Sequence, residues 1–221
     1  MKTFKVYIIG LLMIFSLAAC TKMNAKSEFH NTATLGLKDT LVIMTDLRVI
    51  TNFDDKDIED CIRPIINNAN PSIQFISAKH FRENLYPYFM PNTTPRSMLD
   101  YINIMNGSIV QQRINALKVR YLIMMTNGGT RSQDISGIFC GSIGAGGGCL
   151  GLGLWGRKSE LELVIWDLQS GSYVGTMRAD AAGTNVMPAV VFPIPIYLPA
   201  TESKICKELG VRLSNWLSGQ Q

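Results

Sequence analysis

The stretch VRYLIMMT, residues 119–126, decides the fold because it is almost wholly apolar. A strand that is apolar on both faces is typical of the centre of a sheet that helices cover on both sides. A segment rich in Val, Ile and Thr predicts a further strand at residues 40–52, and the alternation of SIQFISA predicts another at residues 72–78. Two more strands, at residues 159–168 and 172–179, are separated by Gln-Ser-Gly, which predicts a hairpin.

Helices fill the intervals between these strands. Asp54 and Asp55 predict the start of a helix that continues to about Asn68. Gly128 and Gly129 predict the end of the central strand. Further helices are expected at residues 81–88, 108–116 and 201–217. Another is expected to start at Thr94, with Thr94 as the capping residue and Pro95 in the first turn. This order predicts an α/β fold, with a mixed β-sheet packed against helices in a single domain over residues 39–221.

The amino terminus has the organisation of a bacterial lipoprotein signal. Lys2 and Lys5 precede an apolar stretch, and small residues precede Cys20. Residues 1–19 are therefore predicted to be a lipoprotein signal peptide, and Cys20 the lipidation site that carries acyl chains such as palmitate into the membrane. The alternative is an ordinary secretory signal that happens to end in a cysteine. Residues 20–38 are polar and without periodicity, which predicts the lipidated cysteine and a flexible tether.

Location and charge narrow the class of partner. Thr21, rather than Asp, follows the cysteine, which favours sorting to the outer membrane with the domain facing the periplasm. Without the two signal lysines, 19 of the 21 basic side chains remain against 17 acidic ones. This nearly neutral balance gives no case for a nucleic acid partner. No apolar run after the signal reaches the ~20 residues of a membrane-spanning helix.

Four cysteines follow Cys20, namely Cys61, Cys140, Cys149 and Cys206. An even number in an exported protein predicts two disulfides, and four cysteines allow three pairings. The favoured pairing joins Cys140 to Cys149 across a short glycine-rich loop and Cys61 to Cys206 between two predicted helices. A metal site is the weaker alternative, because no Cys-x-x-Cys pair occurs and the chain has only 2 histidines.

The glycine-rich segment GIFCGSIGAGGGCLGLGLWG, residues 137–156, contains two literal G-x-G-x-x-G matches. A dinucleotide site needs that motif between a strand and a helix, whereas here a β-pattern follows, so no cofactor is predicted. The segment is expected to be a flexible hairpin between two strands, closed by the Cys140–Cys149 disulfide. The alternative is an interaction loop that contacts a protein or a membrane surface through apolar side chains, for which the candidates are Phe139, Leu150, Leu152, Leu154 and Trp155.

A proline-rich segment, MPAVVFPIPIYLP at residues 187–199, is the second unusual stretch. Its four prolines exclude a regular helix or a central strand. It is expected to run as an extended crossover that packs on the domain. If it is exposed instead, its apolar side chains mark an interface, for which the candidates are Phe192, Ile194 and Tyr197.

Catalytic groups are scarce in this sequence. His80 is the one histidine of the predicted domain, and no hydrolase motif accompanies it. It is therefore expected at the surface or at the start of a helix. The acidic residues at positions 54–60 are expected to cap a helix and to interact with its dipole. No catalytic or metal-binding residue is predicted.

Two blocks of the sequence resemble a known group of proteins. LKVRYLI, residues 117–123, is followed by Gly128-Gly129 and by VIWDL, residues 164–168, at the hairpin. The pattern is similar to bacterial lipoproteins with a domain like the amino-terminal domain of TolB. That group includes the curli-secretion channel lipoprotein and the outer-membrane activators of penicillin-binding proteins. The resemblance implies a binding or assembly domain rather than an enzyme.

Together these features predict a non-catalytic binding or assembly module of the cell envelope, attached to the membrane through its lipid. Its partner is expected to be another envelope protein or a second copy of the chain. The alternatives are an envelope hydrolase that acts on peptidoglycan or lipid, and a subunit of a secretion channel.

Overall fold

The computed structural model describes residues 22–36, 38–49, 53–95, 97–136, 139–143, 146–189 and 201–219. For residues 133–155 and 184–189 the description covers the backbone alone. The predicted signal peptide, Cys20 and the candidates Phe192, Ile194 and Tyr197 lie outside the described residues.

The described chain folds into one mixed sheet with helices on both faces. In chain order its elements are β1 (Lys22–Phe29), β2 (Thr40–Thr45), α1 (Asp55–Ala69), β3 (Gln74–Ile76), α2 (Ala78–Asn84), α3 (Met98–Met105), α4 (Ser108–Leu117), β4 (Val119–Ser136), β5 (Phe139–Ile143), β6 (Gly146–Asp167), β7 (Ser172–Ala189) and α5 (Thr201–Leu217). The prediction of an α/β fold in a single domain is confirmed.

The sheet has the strand order β1-β7-β6-β4-β2-β3, and β5 pairs with β6 outside that path. Strands β3, β2 and β4 are parallel, whereas β4, β6, β7 and β1 are antiparallel neighbours. Helices connect the parallel strands, as crossover connections require. The antiparallel half contains the hairpin predicted from Gln169-Ser170-Gly171, and Gly171 has the positive φ of 62° that this turn needs.

The central strands bury side chains on both faces, as the apolar stretch at residues 119–126 predicts. On one face Leu41 and Ile123 pack with α1 and α5. On the other face Val42 and Leu122 pack with α2, α3 and α4. Helix α5 buries the stripe predicted for it, namely Ile205, Leu209, Leu213, Trp216 and Leu217.

The start of α3 differs from the prediction, which placed it at Thr94-Pro95. The helix begins at Met98, because Ser97 and Asp100 form a complete capping box there. The side-chain hydroxyl of Thr94 instead donates to the Met90 carbonyl at 2.7 Å, within the preceding turn. Thr followed by Pro is thus a weaker signal for the start of a helix than Ser with Asp three residues later.

The predicted flexible tether is wrong for residues 22–29, which form strand β1. This strand pairs antiparallel with β7, from Lys22 opposite Ala182 to Phe29 opposite Gly175. Its polar residues alternate with Ala25 and Phe29, which pack against the core. A strand at the edge of a sheet needs an apolar face on one side only, so its low hydropathy conceals it.

The end of β1 is fastened to the carboxyl-terminal helix. The ring of Phe29 stacks on Trp216 at 5.2 Å between centroids. The indole Nε1–H of Trp216 donates to the Asn31 carbonyl at 2.9 Å. Gly175 permits the close approach of β1, because a Cβ at this position would lie 2.1 Å from the Glu28 carbonyl oxygen.

Strand β4 does not end at Gly128-Gly129, contrary to the prediction. It continues to Ser136, because β6 supplies pairing partners on both sides of the glycines and for the glycines themselves, with Gly128 opposite Leu161 and Gly129 opposite Glu160. A Cβ on Gly128 would lie 3.1 Å from the Leu161 side chain, so glycine allows close packing here. Gly128 therefore marks a crowded position in a continuous strand, whereas a Cβ at Gly129 would meet no atom within 4 Å.

Candidate functional site

Three strands continue well beyond the helices of the domain. The last residue pair between β2 and β4 is Thr45 with Met125, whereas β6 stays paired with β4 as far as Ser136. β6 also stays paired with β7 up to Ala189, and its first residues pair with β5. We call residues 132–136, 139–143, 146–157 and 183–189 the strand extension. From Lys158 back to Gly146 it reaches about 40 Å at the usual rise of a strand.

The two outer edges of this extension are open in the part of the chain that the structure describes. No described strand pairs with the outer side of β4 after Met125, where β2 has ended. None pairs with the outer side of β7 after Ala182, where β1 begins. Each edge therefore presents a row of backbone N–H and C=O groups to a strand from another molecule.

The base of the extension is held firmly on α5. The Glu202 carboxylate accepts hydrogen bonds from Thr130 Oγ1 and from Arg157 Nη2, both at 2.6 Å. The hydroxyls of Ser159 and Thr201 form a further hydrogen bond beside them. Strands β4 and β6 thus leave the domain in a fixed direction.

A row of basic side chains crosses the sheet where the extension begins. Lys22 lies opposite Ala182, which lies opposite Lys158, and Lys158 lies opposite Arg131. Directly opposed residues share one face of a sheet, and this is the face away from α5. All three basic side chains are exposed. We call Lys22, Arg131 and Lys158 the basic row.

Five predicted interaction residues lie in the strand extension. Phe139 stands opposite Leu150, which confirms the hairpin predicted for the glycine-rich segment. Leu152 stands opposite Pro188, Leu154 opposite Val186 and Trp155 opposite Asn185. The leucines at 150, 152 and 154 occupy alternate positions of one strand. The two glycine motifs also lie in strand β6, which leads to a turn and another strand, so a dinucleotide loop is not formed.

The cysteines divide between the core and the extension. Cys61 in α1 and Cys206 in α5 lie within bonding distance, with Cα atoms 6.2 Å apart. Cys140 and Cys149 are directly opposed in the β5–β6 register. Antiparallel partners have Cα separations of about 4.5–5.5 Å, which a disulfide can bridge. The Cys140–Cys149 bond stays a prediction.

Sequence reasoning missed a cluster of ion pairs at the carboxyl end of β2. The Asp55 carboxylate accepts hydrogen bonds from the backbone N–H and the hydroxyl of Thr45, both at 2.7 Å. It also pairs with the buried guanidinium of Arg82, which donates to the Thr45 carbonyl at 2.7 Å. Beside it, Asp46 pairs with Arg48. In the sequence, the signal for this cluster is Asp55, an acidic residue directly after Asp54, the capping residue of α1.

The two carboxylates of this cluster are held in their charged form. Burial opposes the charge on Asp55, but the hydrogen bonds from Arg82 and Thr45 outweigh it and lower its pKa. Burial likewise opposes the charge on Asp46, and the hydrogen bonds from Arg48 lower its pKa. Each carboxylate has a basic partner, and the Asp55–Arg82 pair joins α1 and α2 to the end of β2.

His80 and the acidic segment at residues 54–60 both take structural positions. His80 is exposed in the first turn of α2, where its backbone N–H donates to the capping residue Ser77 at 3.3 Å. This confirms the predicted surface or helix-start position. Asp54 and Asp57 form a capping box at α1, as expected for the acidic segment. No group of three His, Cys, Asp or Glu among the described residues is placed to hold a metal ion.

Comparisons with known proteins give only distant likenesses. No family model matches the sequence, and no curated protein matches it significantly. A dodecamer of PelC from Paraburkholderia phytofirmans is 11% identical, covers 90% of this chain and 100% of its own, and has a TM-score of 0.41. A neuraminyllactose-binding hemagglutinin homolog from Helicobacter pylori is 12% identical, covers 84% of this chain and 89% of its own, and has a TM-score of 0.35.

A third solved structure, the hypothetical protein CT253 from Chlamydia trachomatis, is 6% identical over 81% of this chain and 98% of its own, with a TM-score of 0.32. Likenesses this low carry no argument about function. The resemblance to lipoproteins with a TolB-like domain stays a prediction. Within the described residues, none of the helices is both long and apolar enough to cross a membrane.

Proposed function

We propose that this protein is a periplasm-facing lipoprotein of the outer membrane that acts as a non-catalytic binding or assembly module, with the strand extension as its contact surface. The observation that carries the proposal is the continuation of β4, β6 and β7 beyond the sheet core, with both outer edges unpaired among the described residues. Strand edges of this kind recruit other strands through backbone hydrogen bonds.

The described residues of the two core clusters lie outside the strand extension. Those of β4, β6 and β7 lie at positions 119–125, 161–166 and 174–181. The extension is a long, glycine-rich hairpin that continues these strands. The firm attachment of the hairpin to α5 through Glu202 suits a surface that must keep a fixed direction when it contacts a partner.

The partner is proposed to be another envelope protein or a second copy of this chain. The open edges of β4 and β7 lie on opposite sides of the extension, so the β4 edge of one copy can pair with the β7 edge of the next. Such head-to-tail contacts form rings when the rotation closes. This observation favours a second candidate function, a channel subunit for secretion. An envelope hydrolase has no such support in the described residues.

Shortening the hairpin tests the proposal. Ser136 and Leu154 are a register pair, so replacing residues 137–153 with Asn-Gly leaves a two-residue hairpin and keeps the rest of the sheet. We expect crosslinking in intact cells, followed by mass spectrometry, to lose the partner or self-contact seen for the complete protein. Formation of the Cys61–Cys206 pair in the shortened variant is the control for folding. Unchanged crosslinks in a correctly folded variant would contradict the proposal.

The anchor is tested separately. Cys20→Ser is expected to release the protein from the outer-membrane fraction, because stable attachment needs acyl chains on the cysteine. Cys140→Ser is the matched control, since it also removes one thiol but leaves the anchor. Retention of the Cys20→Ser protein in the outer-membrane fraction would count against a lipid anchor.

A further inference from the structure

We propose that the basic row, Lys22, Arg131 and Lys158, binds the phosphate groups of the membrane surface into which the Cys20 lipid inserts. The inference rests on the proposed lipid anchor and extends it, because it names the surface that sets how deep the domain sits. Three observations carry it, namely the charge of the row, its distance from Cys20 and its place at the base of the strand extension.

The three positive charges of the row have no opposite charge within the row. The next row towards the core carries Asp180 and Glu160, and Glu160 pairs with Arg178 one row further in. In the basic row the fourth position is Ala182, and no described carboxylate forms an ion pair with the three basic side chains. Three exposed positive charges on one line of a sheet suit a surface of negative phosphates.

The row lies close to the attachment point of the lipid. Lys22 is the second residue after Cys20, a distance of about 7 Å at most in an extended chain. β1 is antiparallel to β7, so it runs away from the extension and its Lys22 end faces the extension. Acyl chains on Cys20 would therefore enter the membrane at the level of the basic row.

The composition of the row fits a membrane surface. Long Lys and Arg side chains place their charge among phosphates while their aliphatic stems cover apolar surface. Each basic residue near an anionic membrane surface contributes about 1 kcal/mol, a factor of about five in binding. The row lies between the folded domain and the strand extension, and its three contacts oppose tilting about the lipid.

Lysine labelling tests the row on the complete acylated protein. Purified protein is reconstituted into phosphatidylcholine vesicles that contain phosphatidylglycerol, and an amine-reactive reagent is followed by mass spectrometry. We expect Lys22 and Lys158 to react about fivefold more slowly in vesicles than in non-ionic detergent. Lys26 and Lys38 are exposed lysines away from the row and serve as references on the same chain, with rates expected to stay unchanged.

Charge reversal provides the matched pair of variants. Arg131→Glu is expected to bring the labelling rates of Lys22 and Lys158 in vesicles close to their detergent values. Lys26→Glu makes the same change of charge four residues after Lys22 in β1. The two positions are about 13 Å apart, beyond the ~8–10 Å range of screened charges, so this variant should keep the protection of Lys22 and Lys158 in vesicles.

Two results would overturn the proposal. One is labelling of Lys22 and Lys158 in vesicles as fast as that of Lys26 and Lys38. The other is protection in native membranes but not in vesicles of purified protein, which assigns the row to a protein partner. If the purified chain carries no acyl group, the proposed lipid anchor is wrong. The basic row is then tested by the same lysine labelling with vesicles in excess, and unchanged labelling rates of Lys22 and Lys158 would overturn the proposal.

Discussion

Replacing Cys61 and Cys206 together with alanine is expected to lower the free energy of unfolding by roughly 3–5 kcal/mol. The two cysteines are 145 residues apart in sequence, so their bond closes a loop that contains most of the domain. The loop-entropy model gives about 5 kcal/mol at 25 °C for that length, and measured disulfides commonly contribute about 2–4 kcal/mol. The pair is also surrounded by core residues of α1 and α5, so shortening both side chains adds a small packing loss.

Urea unfolding with and without reductant measures this contribution. Reduction should lower the stability of the native protein by at least about the amount that the double alanine variant loses without reductant, because reduction also opens the predicted Cys140–Cys149 bond. A variant with Cys140→Ala and Cys149→Ala is the control, because it leaves the α1–α5 connection in place and should keep most of that sensitivity. A double variant of Cys61 and Cys206 with the unfolding midpoint of the oxidised native protein would refute the reasoning.

Three further changes follow from contacts in the fold. Gly175→Ala should lower the free energy of unfolding by about 2–3 kcal/mol and expose β1 to proteolysis, because the added methyl group meets the backbone of Glu28. Native stability or an uncut β1 would contradict this. Arg82→Met should cost about 3 kcal/mol in urea unfolding, because it leaves Asp55 without its guanidinium, and a cost below about 1 kcal/mol would contradict the role of the pair. The lowered pKa of Asp55 makes its contribution complete above the unfolded value of about 4 and lost as pH falls through the lower folded value. The stabilities of native protein and Asp55→Asn should therefore differ at pH 7 and converge only as pH falls below the folded value.

The sequence predicts best those elements whose pattern reflects burial. The apolar stretch at residues 119–126 predicts a doubly covered strand because both of its faces are in the core. Helix α5 is predicted almost to the residue, because its apolar stripe follows the helical period. The Cys61–Cys206 pair could be favoured in advance because both cysteines lie in predicted helices, which the bond joins across a long separation in sequence.

Other elements could not be predicted, because their structure depends on a partner strand. β1 is polar at alternate positions and has a strand's hydrogen bonds only because β7 lies beside it. Gly128 and Gly129 read alone indicate a break, but β6 supplies the backbone partners that carry β4 through them. In the strand extension, leucine alternates with glycine rather than with a polar residue, so a test for apolar and polar alternation finds no strand there.

The buried ion pairs were hidden for a different reason. Asp55 and Arg82 are 27 residues apart, and each belongs to a helix whose own pattern accounts for its charge. Only the packing of α1 and α2 at the end of β2 brings them together. A charged residue on the side of a helix that faces the sheet is the signal that sequence inspection can use.

The pairing of β1 with β7 has a consequence for the order in which the protein matures. Asn24 and Asp180, which share a hydrogen bond across these strands, are 156 residues apart in the chain. β1 is synthesised before its partner strand, so it waits without a pairing surface while the rest of the sheet emerges. Contacts this distant in sequence form late and slow folding. Until β1 closes, the edge of β7 over residues 175–182 is open to other strands.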